Sequence, residues 1–371
     1  MKNFISFKLA VYLARCYLFN FIMLLAGLLA IIYLFDVVEL LRRAAKVENV
    51  ELTMVLVMGL YKLPEVGQLI FPFAILFSAM LTFWQLTKRK ELIIVRAAGL
   101  SAWQFLMPII LCGFMIGVLK LVAINPLGAL FIAQYKNLEM QYLEKKTSLI
   151  SISEEGLWLR QVNEKQSGEV EAVILHSDQV RMPGWELSNA IAFFFDSQNN
   201  FLRRVDSENA ILEPGQWLFK EATVNQPGEI PVKVDSLSLE TSLTIEDLMD
   251  SFASIETIPF WQLPQQIEIL KETGFDATRL RIHLQNLLAQ PLLFVAMILL
   301  AASVSLSSSR MGGGVLLIMS GVVIGFIVFF SSSFLQALGA SQQIPVLIAA
   351  WFPAIISFIL GISAIAALED G

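Results

Sequence analysis

VGQLIFPFAILFSAMLTFWQLT, residues 66–87, holds no charged side chain and runs straight into KRKE, residues 88–91. About 20 mostly apolar helical residues cross the hydrocarbon core of a bilayer. This stretch is long enough to span a membrane, and the basic run stops it. The same test selects residues 16–35, 97–119, 282–309 and the uncharged run 311–368. The last is too long for one helix, and SSSFLQALGASQQIP, residues 331–345, supplies Ser, Gly, Gln and Pro for a loop between two. The expectation is an α-helical membrane protein with six transmembrane helices, three on each side of a polar middle. LTMVLVMGLY, residues 52–61, is too short to cross alone and reads as an interfacial segment or an outward extension of the second helix.

Composition agrees: of 371 residues, 56% are hydrophobic and 16% charged, which does not suit a soluble globule. Residues 125–281 hold 13 Lys/Arg and 24 Asp/Glu, a net of −11, and the flanks hold 13 and 8, a net of +5, so the overall −6 belongs to no single surface. Neither a nucleic-acid-binding basic face nor a disulfide-rich scaffold fits. Cys16 and Cys112 both lie in apolar runs without a second ligand at metal spacing, which leaves them a packing role. With the N-terminus inside, the cytoplasmic segments carry Lys2, Lys8, Arg15, Lys88, Arg89, Lys90, Arg96 and Arg310, against Arg42, Arg43, Lys46 and Lys62 outside. That bias puts both termini in the cytoplasm and the polar middle across the membrane. The first apolar run is too long for a signal peptide, and no A-x-A site follows it, so it reads as a retained anchor.

Three regions follow: 1–125 with the first three spans, 126–281 as the polar middle, and 282–371 with the last three. Asn125 and Pro126 are expected to end the third span, and residues 127–148 to form a helix with Leu130, Leu138 and Tyr142 on one face. Then come short segments rich in β-branched and aromatic residues, such as GLWLRQ (156–161) and AIAFFFDS (190–197), punctuated by Pro-Gly at 183/184, 214/215 and 227/228. Pro followed by Gly is type II turn chemistry. An inserted all-β, jelly-roll-like domain over roughly 150–245 is the reading, with helix returning near residues 244–247 and again after Pro259, up to a C-cap at Gly274. Phe193, Phe194 and Phe195 place rings on both faces of one strand, which fits either a doubly buried strand or a groove open to acyl chains.

Catalytic chemistry is absent. There is no Walker A sequence, no H-E-x-x-H, no G-x-S-x-G and no zinc spacing, and His176 and His283 are far apart without partners, so neither a catalytic nor a metal site is assigned. The spans lack the carboxylates and histidines that ion pathways use. Three basic positions remain: Lys120, near the outer end of the third span, and Arg42 and Arg43, just past the first. Each is either an interfacial anchor or a ligand for lipid phosphates. GVVIG, residues 321–325, is a small-xxx-small packing pattern. KRKELIIVRAAGLSAWQ, residues 88–104, combines four basic residues and Glu91 with an apolar core ending at Gly99. It is too apolar for a solvated loop, and a helix over about 86–100 that docks into a partner's groove is the alternative.

The stretch QLIFPFAILFSAMLTFWQL (68–86) with KRKELIIVRAAGLS (88–101), IPFWQLPQQIEIL (258–270), LLAQPLLF (287–294) and the closing LEDG (368–371) resembles the lipopolysaccharide-export permease family of the LptF/LptG (YjgP/YjgQ) type over essentially the whole chain. GLWLR (156–160) and the C-terminus look closer to the LptG branch. The resemblance implies a periplasmic jelly-roll domain and the permease subunit of an ABC-type exporter in the bacterial inner membrane. It implies that lipopolysaccharide is passed to a periplasmic bridge. No cofactor belongs to the chain itself. The implied partners are a paralogous LptF-like permease, a cytoplasmic LptB-like ATPase dimer and a single-span LptC-like protein. It also implies roles: the helix carrying Glu91, with Ile93, Val95 and Arg96, in ATPase coupling; and Arg42 and Arg43, with Lys120 as a further contact, for lipid A phosphates. Phe193, Phe194 and Phe195 are the candidate acyl groove read from their strand. A basic position in the first span of some members is Tyr33 here. The rival class is a membrane-anchored periplasmic scaffold or sensor, although six spans and an apolar loop helix exceed what anchoring needs.

Overall fold

A computed structural model describes residues 7–47, 50–97, 99, 101–139, 142, 148–153, 156–164, 170–181, 186–196, 198, 200–241, 255–272, 276–308 and 314–370. The chain divides into two compact units, a helical one holding the spans and a β-rich one inserted between the third and fourth spans. Among the described residues six helices are long and apolar enough to cross a membrane. They are α1 (Phe7–Ala44), α2 (Leu52–Lys88), the third span built from α4 (Ala102–Leu119) and α5 (Asn125–Leu138), then α7 (Thr278–Ser308), α8 (Gly314–Ala340) and α9 (Val346–Asp370). A short α3 (Glu91–Ala97) lies between α2 and α4, and α6 (Leu263–Glu272) precedes α7. The fourth span is the most buried of the six and the first and fifth the least. α7 packs against α2, α4, α8 and α9 and is the hub of the unit.

Residues 52–61 extend the second helix, one of the two readings open from sequence. Asn125 and Pro126 do not end the third span. The helix passes through them by way of a π-type turn at Lys120–Ile124 and continues to Leu138. Pro126 has no N–H to give, and its ring crowds the carbonyl four residues back. A wider π turn in front of it relieves that crowding and keeps the rod continuous. The buried face of α5 is Gly128, Ala129, Ile132 and Tyr135, not the Leu130 face, because Gly128 lets α5 close onto Pro64 and Gln68 of α2.

The expected break at residues 331–345 also moves. α8 runs on to Ala340, since its polar groups are satisfied within and between helices: Gln336 Nε2 donates to Ser332 Oγ (3.0 Å) and Asn286 Nδ2 to Gln336 Oε1 (3.5 Å). Gly339 allows the close approach, as a Cβ there would sit 2.6 Å from that of Ala349. Gln342, at φ 60°, ends the helix in left-handed geometry, with Gln343 N–H capping the Leu338 carbonyl. GVVIG packs as its spacing suggests: Gly321 faces Met80 and Phe77, and Gly325 faces Phe73, all on α2. The cysteines are free. The cationic position Arg310 lies outside the described residues.

The inserted unit is antiparallel throughout. Its strands are β1 (Ser148–Ser153), β2 (Gly156–Glu164), β3 (Val170–Ser177), β4 (Gln179–Arg181), β5 (Glu186–Phe195), β6 (Phe201–Glu213), β7 (Gln216–Asn225) and β8 (Val232–Glu240). They pair in the order β1-β2-β3-β5-β6-β7-β8, with β4 continuing beside β5. The connectivity is therefore sequential hairpins, and the sheet curls on itself. Gln161 of β2 donates to the Glu240 carbonyl (3.2 Å) and accepts from Thr241 (3.0 Å), joining elements at opposite ends of the strand order. Leu159, Leu175, Phe194, Trp217 and Phe219 fill the enclosed core, and Leu270 of α6 packs against it. Gly215 and Gly228 take φ +85° and +82° as the Pro-Gly turns require. The turn at 183/184, the helix near 244–247 and Gly274 lie outside the described residues.

The curl has a local cause. On β5 the buried positions change from Leu187 to Ala190 and Ala192, on β6 from Val205 and Ser207 to Ala210, and on β7 from Phe219 to Ala222. The pairing is interrupted at Asn189, Glu208 and Glu221 between these positions and resumes in the same register on the far side. One residue out of step with the alternation at the same level on neighbouring strands flips the pleat and bends the strands together. Asn189 and Glu221 accept φ near 50° to do so. Ser177 and Ser207 brace the bend from inside, each hydroxyl placing its single proton within reach of two carbonyls, Gln179 and Ser188 for the first and Asn209 and Lys220 for the second.

Candidate functional site

Six alternating spans give the helical unit two ends. Both termini and α3 share one, the termini end; Ala44, Leu52 and Leu138 share the other, the insertion end, where the chain leaves for the β unit. Each end carries a polar constellation.

At the insertion end, Glu39, Arg42 and Arg43 lie three and four residues apart on one face of α1, so their side chains meet. Arg42 Nη2 donates to Glu39 (2.8 Å to Oε2) and Arg43 Nε to the same carboxylate (3.1 Å to Oε1). Arg43 Nη1 also reaches Glu139 (3.4 Å), a buried carboxylate that accepts from Tyr135 Oη (2.9 Å) and Lys136 Nζ (3.1 Å). Two guanidiniums thus converge on one carboxylate while their side chains stay 73% and 49% exposed. Exposed pairs of this kind contribute about 0–1 kcal/mol, little enough for an incoming dianion to displace the carboxylate. Lys62 pairs with Asp36 (3.0 Å), and Tyr33 Oη donates to the Leu56 carbonyl (3.2 Å), so Tyr33 serves helix contact.

Lys120 stands apart from this pair. It is 1% exposed, its ammonium donates to the Gln68 carbonyl (3.0 Å), and the rings of Phe71 and Phe294 lie 5.2 and 5.7 Å from it. The π turn aims it inward, where cation–π attraction and one carbonyl take the place of solvent. Asn125 joins the same anchor through Gln68 Oε1 (3.2 Å).

At the termini end, Lys90 at φ 62° separates α2 from α3, and Gly99 at φ +80° with the Ser101–Gln104 capping box separates α3 from α4. The coupling segment expected over 86–100 is therefore a seven-residue helix between two breaks. Glu91 opens it, accepting from Tyr12 Oη (2.8 Å) with Arg89 at 4.0 Å. Leu92 is buried and Val95 packs inward onto the bundle core, while Ile94 is 67% exposed. Among the described side chains of α3, Ile94 is thus the apolar one presented outward, which the run Leu92 to Val95 gave no sign of. Ile93 and Arg96 lie in α3, but their side chains fall outside the described residues.

In the β unit the Phe triad obeys strand alternation. Phe194 lies in the enclosed core with Arg203 over its ring (4.3 Å), and Phe193 and Phe195 are half-buried on the other face. That other face also carries a concavity of about 1420 Å³ lined by Ile191, Arg204, Asp206, Glu221 and Lys233, a polar surface. His176 stacks on Trp158 (4.2 Å) in β3, as a structural histidine does. At the far end of β5, Asn200 holds the Asp196 carboxyl below its ordinary range through side-chain and backbone N–H groups, which fastens the β5–β6 turn. Among the described residues no His/Cys/Asp/Glu group could hold a metal.

The family model of the lipopolysaccharide export system permease LptF/LptG matches residues 11–366, nearly the full chain. The chain belongs to the LptF/LptG permease family. Lipopolysaccharide export system permease protein LptG of Haemophilus influenzae is 24% identical over 351 residues, covering 92% of this chain and 93% of the relative. LptG of Escherichia coli K12 is 23% identical over 317 residues, 82% and 84% of the two chains. The LptG-like character read from GLWLR and the C-terminus agrees with these relatives. As a family member the chain is a multi-pass membrane permease of lipopolysaccharide export. Sequence reasoning missed the two carboxylates holding the arginines: Glu39 was visible at i+3 and i+4 spacing, whereas Glu139 comes from a distant helix.

Proposed function

We propose that this chain is the LptG-type transmembrane subunit of an ABC-type lipopolysaccharide exporter in the bacterial inner membrane, with both termini cytoplasmic and the β unit periplasmic. It pairs with an LptF-like paralogue and an LptC-like single-span protein. ATP is hydrolysed in an LptB-like cytoplasmic dimer, consistent with the absence of a Walker A sequence here. The observation that carries the reading is the pair of exposed guanidiniums at the insertion end of the least buried span. A multi-acyl phosphorylated lipid needs this combination: apolar helix flanks for its chains and forked cations at the rim for its phosphates.

In this mechanism lipopolysaccharide enters from the outer leaflet beside α1 and α8, whose apolar faces are open, and its phosphates displace Glu39 from Arg42 and Arg43. Closure of the ATPase dimer acts on α3 through Glu91 and Ile94 and is passed to α1 by the Tyr12 hydrogen bond. The squeezed lipid passes to the interior of the rolled sheet, where Phe194 is the member of the triad an acyl chain meets, and on to a periplasmic bridge. Lys120 is given a place inside the bundle, bracing the third span on the second, rather than a phosphate. Lys120→Met keeps the volume and removes a buried cation, so stability is expected to change by less than about 1.5 kcal/mol and export to persist. Thermal unfolding and an export assay check this; lost export with an unchanged fold returns Lys120 to the phosphate contacts. The reading itself is tested by co-reconstituting the chain with its paralogue and ATPase in lipopolysaccharide-loaded proteoliposomes. ATP-dependent release of lipopolysaccharide to an acceptor supports it, and release that is independent of this chain overturns it.

A further inference from the structure

A second basic site lies at the termini end, away from the rim arginines. Lys8, Val11, Arg15 and Phe19 follow one another at three- and four-residue steps and form one stripe along α1. Facing them is Arg89 at the end of α2, and the two helices enclose a cavity of about 640 Å³. Its floor is polar and fixed: buried Asn20 donates to Thr82 Oγ1 (2.9 Å) and Gln85 Oε1 (3.1 Å), holding α1 to α2. Among the described residues no carboxylate lines the cavity. Among the described residues neither Lys8 nor Arg15 has an ion-pair partner, in contrast to Arg42, which pairs with Glu39, and Arg43, which pairs with Glu39 and Glu139.

Snorkelling explains a single cation at a helix end. It does not explain three cations from two helices around one concavity whose walls are apolar at Val11 and Phe19. We propose that this pocket is a binding site for an anionic glycerophospholipid of the leaflet at the termini end, its headgroup phosphate on Lys8, Arg15 and Arg89 and an acyl chain along Val11 and Phe19. Basic pockets between spans are the usual means of holding such headgroups. The site abuts α3: Tyr12 lies on the same wall and holds Glu91, and Arg89 faces both the pocket and Glu91. The assignment of that leaflet to the cytoplasmic side rests on the function proposed above; the binding itself does not.

The test places the full chain in phosphatidylcholine nanodiscs doped with a diazirine-bearing phosphatidylglycerol and maps the adducts by mass spectrometry. Adducts are expected on the peptide containing Val11 and Phe19, competed by unlabelled phosphatidylglycerol. Lys8→Gln with Arg15→Gln removes two charge-assisted contacts and is expected to cut labelling about tenfold or more, with rescue by Lys8→Arg with Arg15→Lys. Equal labelling of the Gln variant, or equal competition by phosphatidylcholine, marks ordinary boundary lipid and overturns the proposal. Competition by inorganic phosphate alone marks a soluble-anion site and overturns it too. Neither ATPase nor lipopolysaccharide is present, so failure of the export reading leaves this outcome unchanged.

Discussion

Glu91→Lys is expected to cut lipopolysaccharide export steeply while the chain still inserts and folds. The carboxylate stands at the start of α3, bonded to Tyr12 of α1 and near Arg89. Reversal removes the Tyr12 acceptor, a loss of about 1 kcal/mol, and puts a fourth cation beside Lys88, Arg89 and Lys90. Both effects are local, because α3 lies between the breaks at Lys90 and Gly99 and its burial rests on Leu92 and Val95, which the change leaves in place. Transmission suffers most: like charges about 4 Å apart repel by about 4 kcal/mol at an effective dielectric near 20, enough to undock a partner. Export measured at the cell surface should fall at least about tenfold, and the ATPase should no longer co-purify. Glu91→Gln, which keeps an acceptor for Tyr12, should fall in between. Normal export by the Lys variant removes α3 from the coupling role.

Arg42→Glu combined with Arg43→Glu is expected to eliminate capture of lipopolysaccharide by the first span. The wild-type arginines share Glu39, so the rim is already built to place two guanidiniums on one anion. Charge-assisted hydrogen bonds contribute about 1.5–3 kcal/mol each, so losing two weakens binding by roughly a hundredfold or more. Glu39→Gln shifts the opposite way: it frees Arg42 and leaves Arg43 only its contact with Glu139, and capture should hold or rise. A structural role for the cluster would make both variants lose capture together with thermal stability, which separates the two accounts.

The helical unit was legible in sequence because uncharged length is what a bilayer selects, and the six spans follow from it. What sequence reading misplaced were helix ends decided by tertiary contact. Pro126 looks like a stop, yet a π turn absorbs it; Ser331 to Ala340 looks like a loop, yet Asn286 and Gly339 let α8 continue. In the β unit the Pro-Gly turns were readable from their φ demands. The row of kinks at Asn189, Glu208 and Glu221 was not, since non-glycine residues at positive φ, as Asn189 and Glu221 are, carry no local signal. Among site residues, Arg42, Arg43 and Glu91 stood out as charges beside apolar runs. Their partners Tyr12 and Glu139 are 79 and 96 residues away in the chain, which no spacing pattern reveals.

The central claim is that lipopolysaccharide passes the insertion end of α1. A photocrosslinking residue at position 43, in cells making the whole exporter, tests it most directly. Lipopolysaccharide adducts should form there, increase when ATP hydrolysis is blocked, and be absent from a matched position at Ile94 on α3. No adduct at position 43, or equal adducts at both positions, contradicts the account.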